Sequence, residues 1–242
     1  MEAKASLGIA NNTMKNKLIF DLGFLNGEDS LYYISKGFNV VALEANPILC
    51  KIARRRLKKQ IKSKQLTLCN NAISKNSVGM IDFYINKKRP EVSSTEKWIA
   101  DQNGEYKVEK ITIPTVGLFD LITTYGVPDY LKVDIEGMDK EISKQLVSIP
   151  TKSRPQYISF ELNKIDYFDI FMNLKICNYT KFQLVNQIHN KPNCSGDFGG
   201  FLPKQKWIGF DEALSRYMKY RELKIIDNVN LGVGWMDLHA EL

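Results

Sequence analysis

Short apolar runs that each close on an acid or an amide recur along the first two-thirds of the chain. Leu18 to Phe20 runs into Asp21, Val40 to Leu43 into Glu44, and Leu66 to Leu68 is soon followed by Asn70 and Asn71. Further on, Tyr130 to Val133 meets Asp134 and Tyr157 to Phe160 meets Glu161. Runs of four to eight apolar residues bounded by turn formers read as buried strands. Strands are therefore predicted at Lys17 to Asp21, Asn39 to Glu44, Leu66 to Leu68, Tyr130 to Asp134, Gln156 to Glu161 and Phe182 to Asn186.

Between them the period changes. Glu28 to Lys36 reads as a helix closed by Gly37, a residue suited to the C-terminal cap. After the Asn46-Pro47 turn, Ala53, Leu57 and Ile61 recur at four-residue spacing inside KIARRRLKKQIKSK, Lys51 to Lys64, which predicts an amphipathic helix. Asp139 to Leu146 and Asp211 to about Arg221 are also read as helices. Met80 to Ile85 and Lys110 to Pro114 read as extra strands around a long polar loop, Lys87 to Lys107. A last strand-like segment runs toward Trp235.

Alternating β and α units imply right-handed crossovers and a mostly parallel sheet, so the fold class is α/β. Residues 1–14 read as a flexible polar lead-in and 15–242 as one domain, with 186–242 its variable part. Within that part SGDFGGFLP, Ser195 to Pro203, reads as a glycine-hinged loop over an acceptor pocket or as a surface turn.

The chain's 242 residues allow a substantial core, and 44% hydrophobic with 25% charged content is ordinary for a globular protein. The first residues carry no apolar core of a secretory signal, and no apolar run reaches the roughly 18 to 20 residues of a membrane helix. A cytoplasmic location is the expectation. Cys50, Cys69, Cys177 and Cys194 form no C-x-x-C pair and only His189 and His239 could join them, so no metal site is expected. The net charge of +7 arises largely in Lys51 to Lys64, either the solvated side of a helix or a surface for an anionic partner. Signatures of nucleic-acid-binding modules are missing, so nucleic acid is not the expected partner.

Parallel sheets bind ligands beyond the carboxyl ends of their strands, where Asp21, Glu44, Asn70, Asn71, Asp134 and Glu161 fall. A dinucleotide fingerprint opens with glycine for a pyrophosphate. Here Asp21 holds that position, and the next glycines, Gly23 and Gly27, are spaced differently. A carboxylate repels a pyrophosphate and attracts a sulfonium-bearing amino acid. Glu44, 23 residues further on, can accept hydrogen bonds from both ribose hydroxyls. The pair suits S-adenosylmethionine better than NAD.

In this order, DLGFLNGEDS, VVALEANP, NNAIS, YLKVDIEG and ISFEL resemble the motifs of the FkbM-type methyltransferases, over roughly Leu18 to Leu162. The resemblance implies a Rossmann-like class I fold, a mostly parallel seven-stranded sheet with helices on both faces. It also implies methyl transfer from S-adenosylmethionine to a hydroxyl of a sugar, glycan or small natural product. The cofactor residues it implies are Asp21, Gly23, Gly27, Asp29, Ser30, Glu44, Ala45, Asn71, Ala72 and Asp134. Asp134 and Glu136 are the catalytic candidates, Glu136 as general base, with Glu161 as the alternative; Lys132 is expected to flank the sheet. Phe24 and Leu25 depart from the small residues usual in the first turn, and their side chains are expected to point away from the ligand. Two rival readings are a nucleoside-binding protein without catalysis and a nucleic-acid methyltransferase. Neither the acceptor nor the oligomeric state can be read from the motifs.

Overall fold

The computed structural model describes residues 17–74, 79–163, 165–187, 207–222, 225–226, 229–230 and 236–242. Its main sheet contains β1 (Leu18–Leu22), β2 (Asn39–Leu43), β3 (Leu66–Cys69), β7 (Tyr130–Val133), β8 (Tyr157–Glu161), β9 (Lys181–Asn186) and β12 (Met236–Glu241). Their order is β3-β2-β1-β7-β8-β12-β9. Five of these strands pair in parallel, while β12 lies antiparallel between β8 and β9. The expected α/β architecture, mostly parallel and seven-stranded, is therefore present. Strand order reverses between β1 and β7, which places a ligand crevice at the carboxyl ends of those two strands.

Each face of the sheet carries its own apolar layer, because successive side chains alternate. On one face, Phe20, Leu22, Leu131, Val133, Ile158 and Phe160 meet α5 (Leu118–Tyr125), α6 (Asp139–Ser148), α7 (Tyr167–Ile176) and α8 (Phe210–Glu222). On the other, Ile19, Val40, Ala42, Leu66 and Tyr130 meet α1 (Glu28–Ser35) and α2 (Pro47–Arg56). Leu57 joins α2 to α3 (Lys58–Lys62), and bonds from Leu57 N to Ala53 O and from Ile61 N to Leu57 O carry the helical path across it. Ala53 and Leu57 are buried and Ile61 is half-buried, so the predicted four-residue apolar stripe packs inward.

Several elements differ from expectation. Helices α5 and α7 were not foreseen. In α5 the buried Leu118, Leu121 and Ile122 share eight residues with two threonines, an aspartate and two aromatics, all weak helix formers. In α7 the buried face of Tyr167, Ile170, Phe171 and Leu174 is blurred by exposed Phe168 and Ile176. The long polar loop is ordered: it holds a 3₁₀ turn at Pro90–Val92 and a short α4 (Lys97–Ala100). It is held by a second sheet in which β6 (Val108–Val116) pairs with β5 (Met80–Asn86) and β4 (Ala72–Ile73). The final strand is Met236–Glu241, beyond the segment expected near Trp235, because Asp237 and His239 lie buried in a strand of polar appearance. Ile225–Ile226 (β10) and Val229–Asn230 (β11) pair antiparallel. Ser195 to Pro203, His189, Cys194 and the lead-in lie outside the described residues. Among the described residues no helix is long and apolar enough to cross a membrane.

Candidate active site

The turn after β1 is built from the inside. Gly23 has φ +95°, and a Cβ there would sit 1.8 Å from the Asp134 carbonyl oxygen, so only glycine lets β1 close against the end of β7. The N–H groups of Gly23 and Phe24 both donate to the Leu43 carbonyl, at 3.1 and 3.0 Å. The Phe24 ring lies under Gly27, where a Cβ would be 2.2 Å from its tip. Phe24 is buried in the layer with Ile19, Tyr33 and Phe38. It packs into this layer and anchors the loop, although both Phe24 and Leu25 also border the cavity. The two glycines serve this packing, not only the approach of a ligand. Leu25, at φ +47°, aims its N–H at Glu44 Oε2, 2.8 Å away.

Register explains the charges behind this turn. Asp21 of β1 lies beside Lys132 of β7, and Lys132 and Asp134 share one side because side chains repeat every second residue. The Lys132 ammonium stands 3.1 Å from Asp134, 3.2 Å from Asp29 and 3.6 Å from Asp21. These neighbours raise its pKa well above the usual lysine value, although burial opposes them. Asp21 is fully buried and also accepts the Ser30 hydroxyl at 2.6 Å. Burial pushes its carboxyl up to about 6, against the pull of Lys132. Asp21 and Ser30 are not on the cavity wall; they fix the loop from behind, and Asp29 and Asp134 line the wall instead. Lys132 lines it too and does not merely flank the sheet. The K-x-D spacing puts Lys132 and Asp134 on one side of β7, but nothing along the chain places Asp21 and Asp29 beside them.

The cavity, of about 540 Å³, opens at the carboxyl ends of β1, β2 and β7. Seven of its lining residues are acidic, against two basic ones, Arg89 and Lys132. At one end Glu44 holds its carboxylate with two backbone donors, Leu25 N–H at 2.8 Å and Asn46 N–H at 2.7 Å. Burial pushes this carboxyl up to about 7. Ala45, Asn71 and Ala72 continue the same wall, and the Asn70 side chain ties it by donating to the carbonyls of Glu44 and Ala45.

At the other end Asp134, Glu136 and Glu161 come together. Asp134 is held below the usual carboxylate range: burial opposes ionisation, but Lys132 and hydrogen bonds from Glu161 and Lys132 outweigh it. Burial and the Asp134 charge push Glu161 up to about 11, so it is a neutral donor to Asp134 and no free base at neutral pH. Burial, then Asp134, pushes Glu136 up to about 7. The residues Arg89 to Thr95, read from sequence as part of a plain loop, close this end. Ser94 Oγ donates to the Glu136 carbonyl at 2.6 Å, and Gly137 leaves room for Ile99, whose Cδ1 would be 2.6 Å from a Cβ. His239, by contrast, is a core residue stacked on the Tyr130 ring, and Trp207 packs on Tyr157.

Comparison with known proteins gives the cavity a context. A precorrin-6y C5,15-methyltransferase from Geobacter metallireducens is 14% identical, covering 72% of this chain and 69% of its own, with a TM-score of 0.40. A putative O-methyltransferase from Klebsiella pneumoniae is 10% identical, covering 93% and 73%, with a TM-score of 0.39. The methyltransferase domain of bacterial CtHen1-CN is 13% identical, covering 93% and 90%, with a TM-score of 0.43. No curated protein matches the sequence. The family model described as the methyltransferase FkbM domain matches residues 20–183, well over half of the chain. The chain thus belongs to the FkbM methyltransferase family, and S-adenosylmethionine is its methyl donor.

Proposed function

We propose that the protein transfers a methyl group to a hydroxyl of a sugar, glycan or small natural product. The cavity suits the donor. Its volume falls within the roughly 300 to 1,000 Å³ of small-molecule sites, and its acidic wall complements a cation. Glu44, already held by two backbone N–H groups, keeps lone pairs for the ribose hydroxyls, and Ala45, Asn71 and Ala72 flank the base. Gly23, Asp29 and Asp134 border the amino-acid end, while Asp21, Ser30 and Gly27 hold that border in place.

Bound S-adenosylmethionine supplies a methyl on a sulfonium, whose departure leaves a neutral thioether. The protein aligns the acceptor and removes its proton. Glu136 takes that proton: its carboxyl, pushed up to about 7, is well matched to neutral pH and lies on the cavity wall, which is the observation that carries this reading. Asp134, ionised by Lys132 and Glu161, orients the donor's ammonium or the acceptor. Thr95 Oγ1, buried and without a hydrogen-bond partner among the described residues, offers the acceptor a further polar contact.

The test is release of S-adenosylhomocysteine across a panel of hydroxyl-bearing acceptors, with the product bond assigned by NMR. Glu136→Gln should lower kcat by about 10²- to 10⁴-fold while donor binding is kept. In the parent, kcat should rise with pH through about 7, because the base acts deprotonated. Methyl found on nitrogen, or unchanged turnover in Glu136→Gln, would refute this assignment.

A further inference from the structure

The face of α2 and α3 turned away from the sheet has a composition that solvent alone does not explain. At 100° per residue, Cys50, Ala53, Leu57 and Ile61 point to the core. Ile48, Ile52, Arg55 and Lys59 point directly opposite, with Lys51 and Lys62 beside them. Lys51 to Lys64 contains eight basic residues and no acid. Without them the chain's 34 Lys and Arg would become 26 against 27 Asp and Glu, so this one segment carries the whole positive excess. None of the ion pairs among the described residues involves it. Arg54 alone is turned back, donating to the Leu68 carbonyl.

The isoleucines decide the kind of partner. A solvated helix face is polar, yet Ile48 and Ile52 are 50% and 53% exposed, one turn apart and surrounded by cations. Aliphatic side chains exposed among cations give a helix face both apolar burial and headgroup attraction at an anionic membrane interface. A nucleic acid would meet the cations but bury neither isoleucine, and no aromatic ring stands on this face for a base to stack on. A second copy would bring the same charges and be repelled.

We propose that this face docks the protein on an anionic lipid bilayer. Ile48 and Ile52 enter the interface, and Lys51, Arg55, Lys59 and Lys62 meet the headgroup phosphates. The helix pair starts two residues after Ala45 of the cavity wall, so docking holds the catalytic sheet at a fixed distance from the membrane surface.

Flotation of the full chain with vesicles tests this. It should bind vesicles of phosphatidylcholine mixed with phosphatidylglycerol, not phosphatidylcholine alone, and release as salt rises. Each basic residue at such a surface contributes a factor of roughly 5 in partitioning, so Arg55→Glu with Lys59→Glu should lower it at least roughly 25-fold. Ile48→Ser with Ile52→Ser should lower it several-fold and leave the salt dependence in place. Both variants should keep the melting temperature and S-adenosylmethionine affinity of the parent, which separates this proposal from the reading of the cavity. Equal binding to neutral vesicles, or binding to neither, would overturn it. So would an RNA oligonucleotide bound tightly by the parent and the isoleucine variant but lost by the Arg55/Lys59 variant.

Discussion

At the scale of single residues, Lys132 shows how one cation organises a site. Three carboxylates face it, and the ammonium is almost wholly shielded from water. Removing one partner from a buried ionic cluster costs about 3 to 5 kcal/mol, since the remaining charges lose their compensation. Lys132→Met should therefore destabilise the protein by about 3 kcal/mol at neutral pH. The loss should shrink at pH 5, where Asp21, already near 6, takes up a proton. Urea denaturation at the two pH values measures it; an equal loss at both would dissolve the cluster as an electrostatic unit. Glu44 and Asp134 could be picked from sequence because they end apolar strands. Lys132 could not, because its partners lie on a neighbouring strand and a helix, and pairing across strands is invisible along the chain.

At the scale of elements, glycines of similar conformation have different tasks. Gly23 and Gly37 have φ of +95° and +90°, so alanine is strained at both. Only Gly23 faces a wall, the Asp134 carbonyl at 1.8 Å from a Cβ, whereas nothing lies within 4 Å at Gly37. Gly37→Ala should cost about 1 kcal/mol, the penalty for the left-handed region alone. Gly23→Ala should add the separation of β1 from β7, costing several-fold more and abolishing donor binding. Thermal unfolding with and without S-adenosylmethionine distinguishes them; similar losses would mean that the β1–β7 contact adapts freely. Strands β1 and β2 were legible as continuous apolar runs buried on both faces, and α1 and α2 as helices with one buried face. The pattern was illegible in α7, whose outer face is also apolar, and in β12, whose Asp237 and His239 are buried polar residues. The segment from Arg89 to Thr95 failed for another reason. Its order comes from Ser94 and Ile99 docking on the Glu136–Gly137 turn, contacts between distant parts of the chain.

Across the whole molecule, the chain's positive charge and the cavity's acidity are separated in space, which composition alone could not reveal. Eight cations fall in the one segment Lys51 to Lys64, most of them on the outward side of a helix pair, while the carboxylates converge on the strand ends. Burial gives that convergence a pH dependence. Asp21 is pushed up to about 6, Glu44 and Glu136 to about 7 and Glu161 to about 11, against 3.8 for aspartate and 4.5 for glutamate. A carboxyl whose folded pKa lies above its unfolded value binds more protons in the native state. Its contribution is complete below about pH 4 and is lost as pH rises through the folded pKa. Asp134, held below 3.8, acts oppositely but only in the acid range, and Lys132 only above pH 10. From pH 5 to pH 8, then, stability of the ligand-free protein should fall. The carboxylates that ionise over this window strengthen the attraction for a sulfonium, so S-adenosylmethionine should raise the melting temperature more at pH 8 than at pH 6. S-adenosylhomocysteine has no sulfonium charge and should gain much less across the same window. Thermal shift with both compounds from pH 5 to pH 8 is the measurement. A melting temperature that climbs with pH, or equal gains for the two compounds, would mean that the buried carboxylates are not what holds the donor.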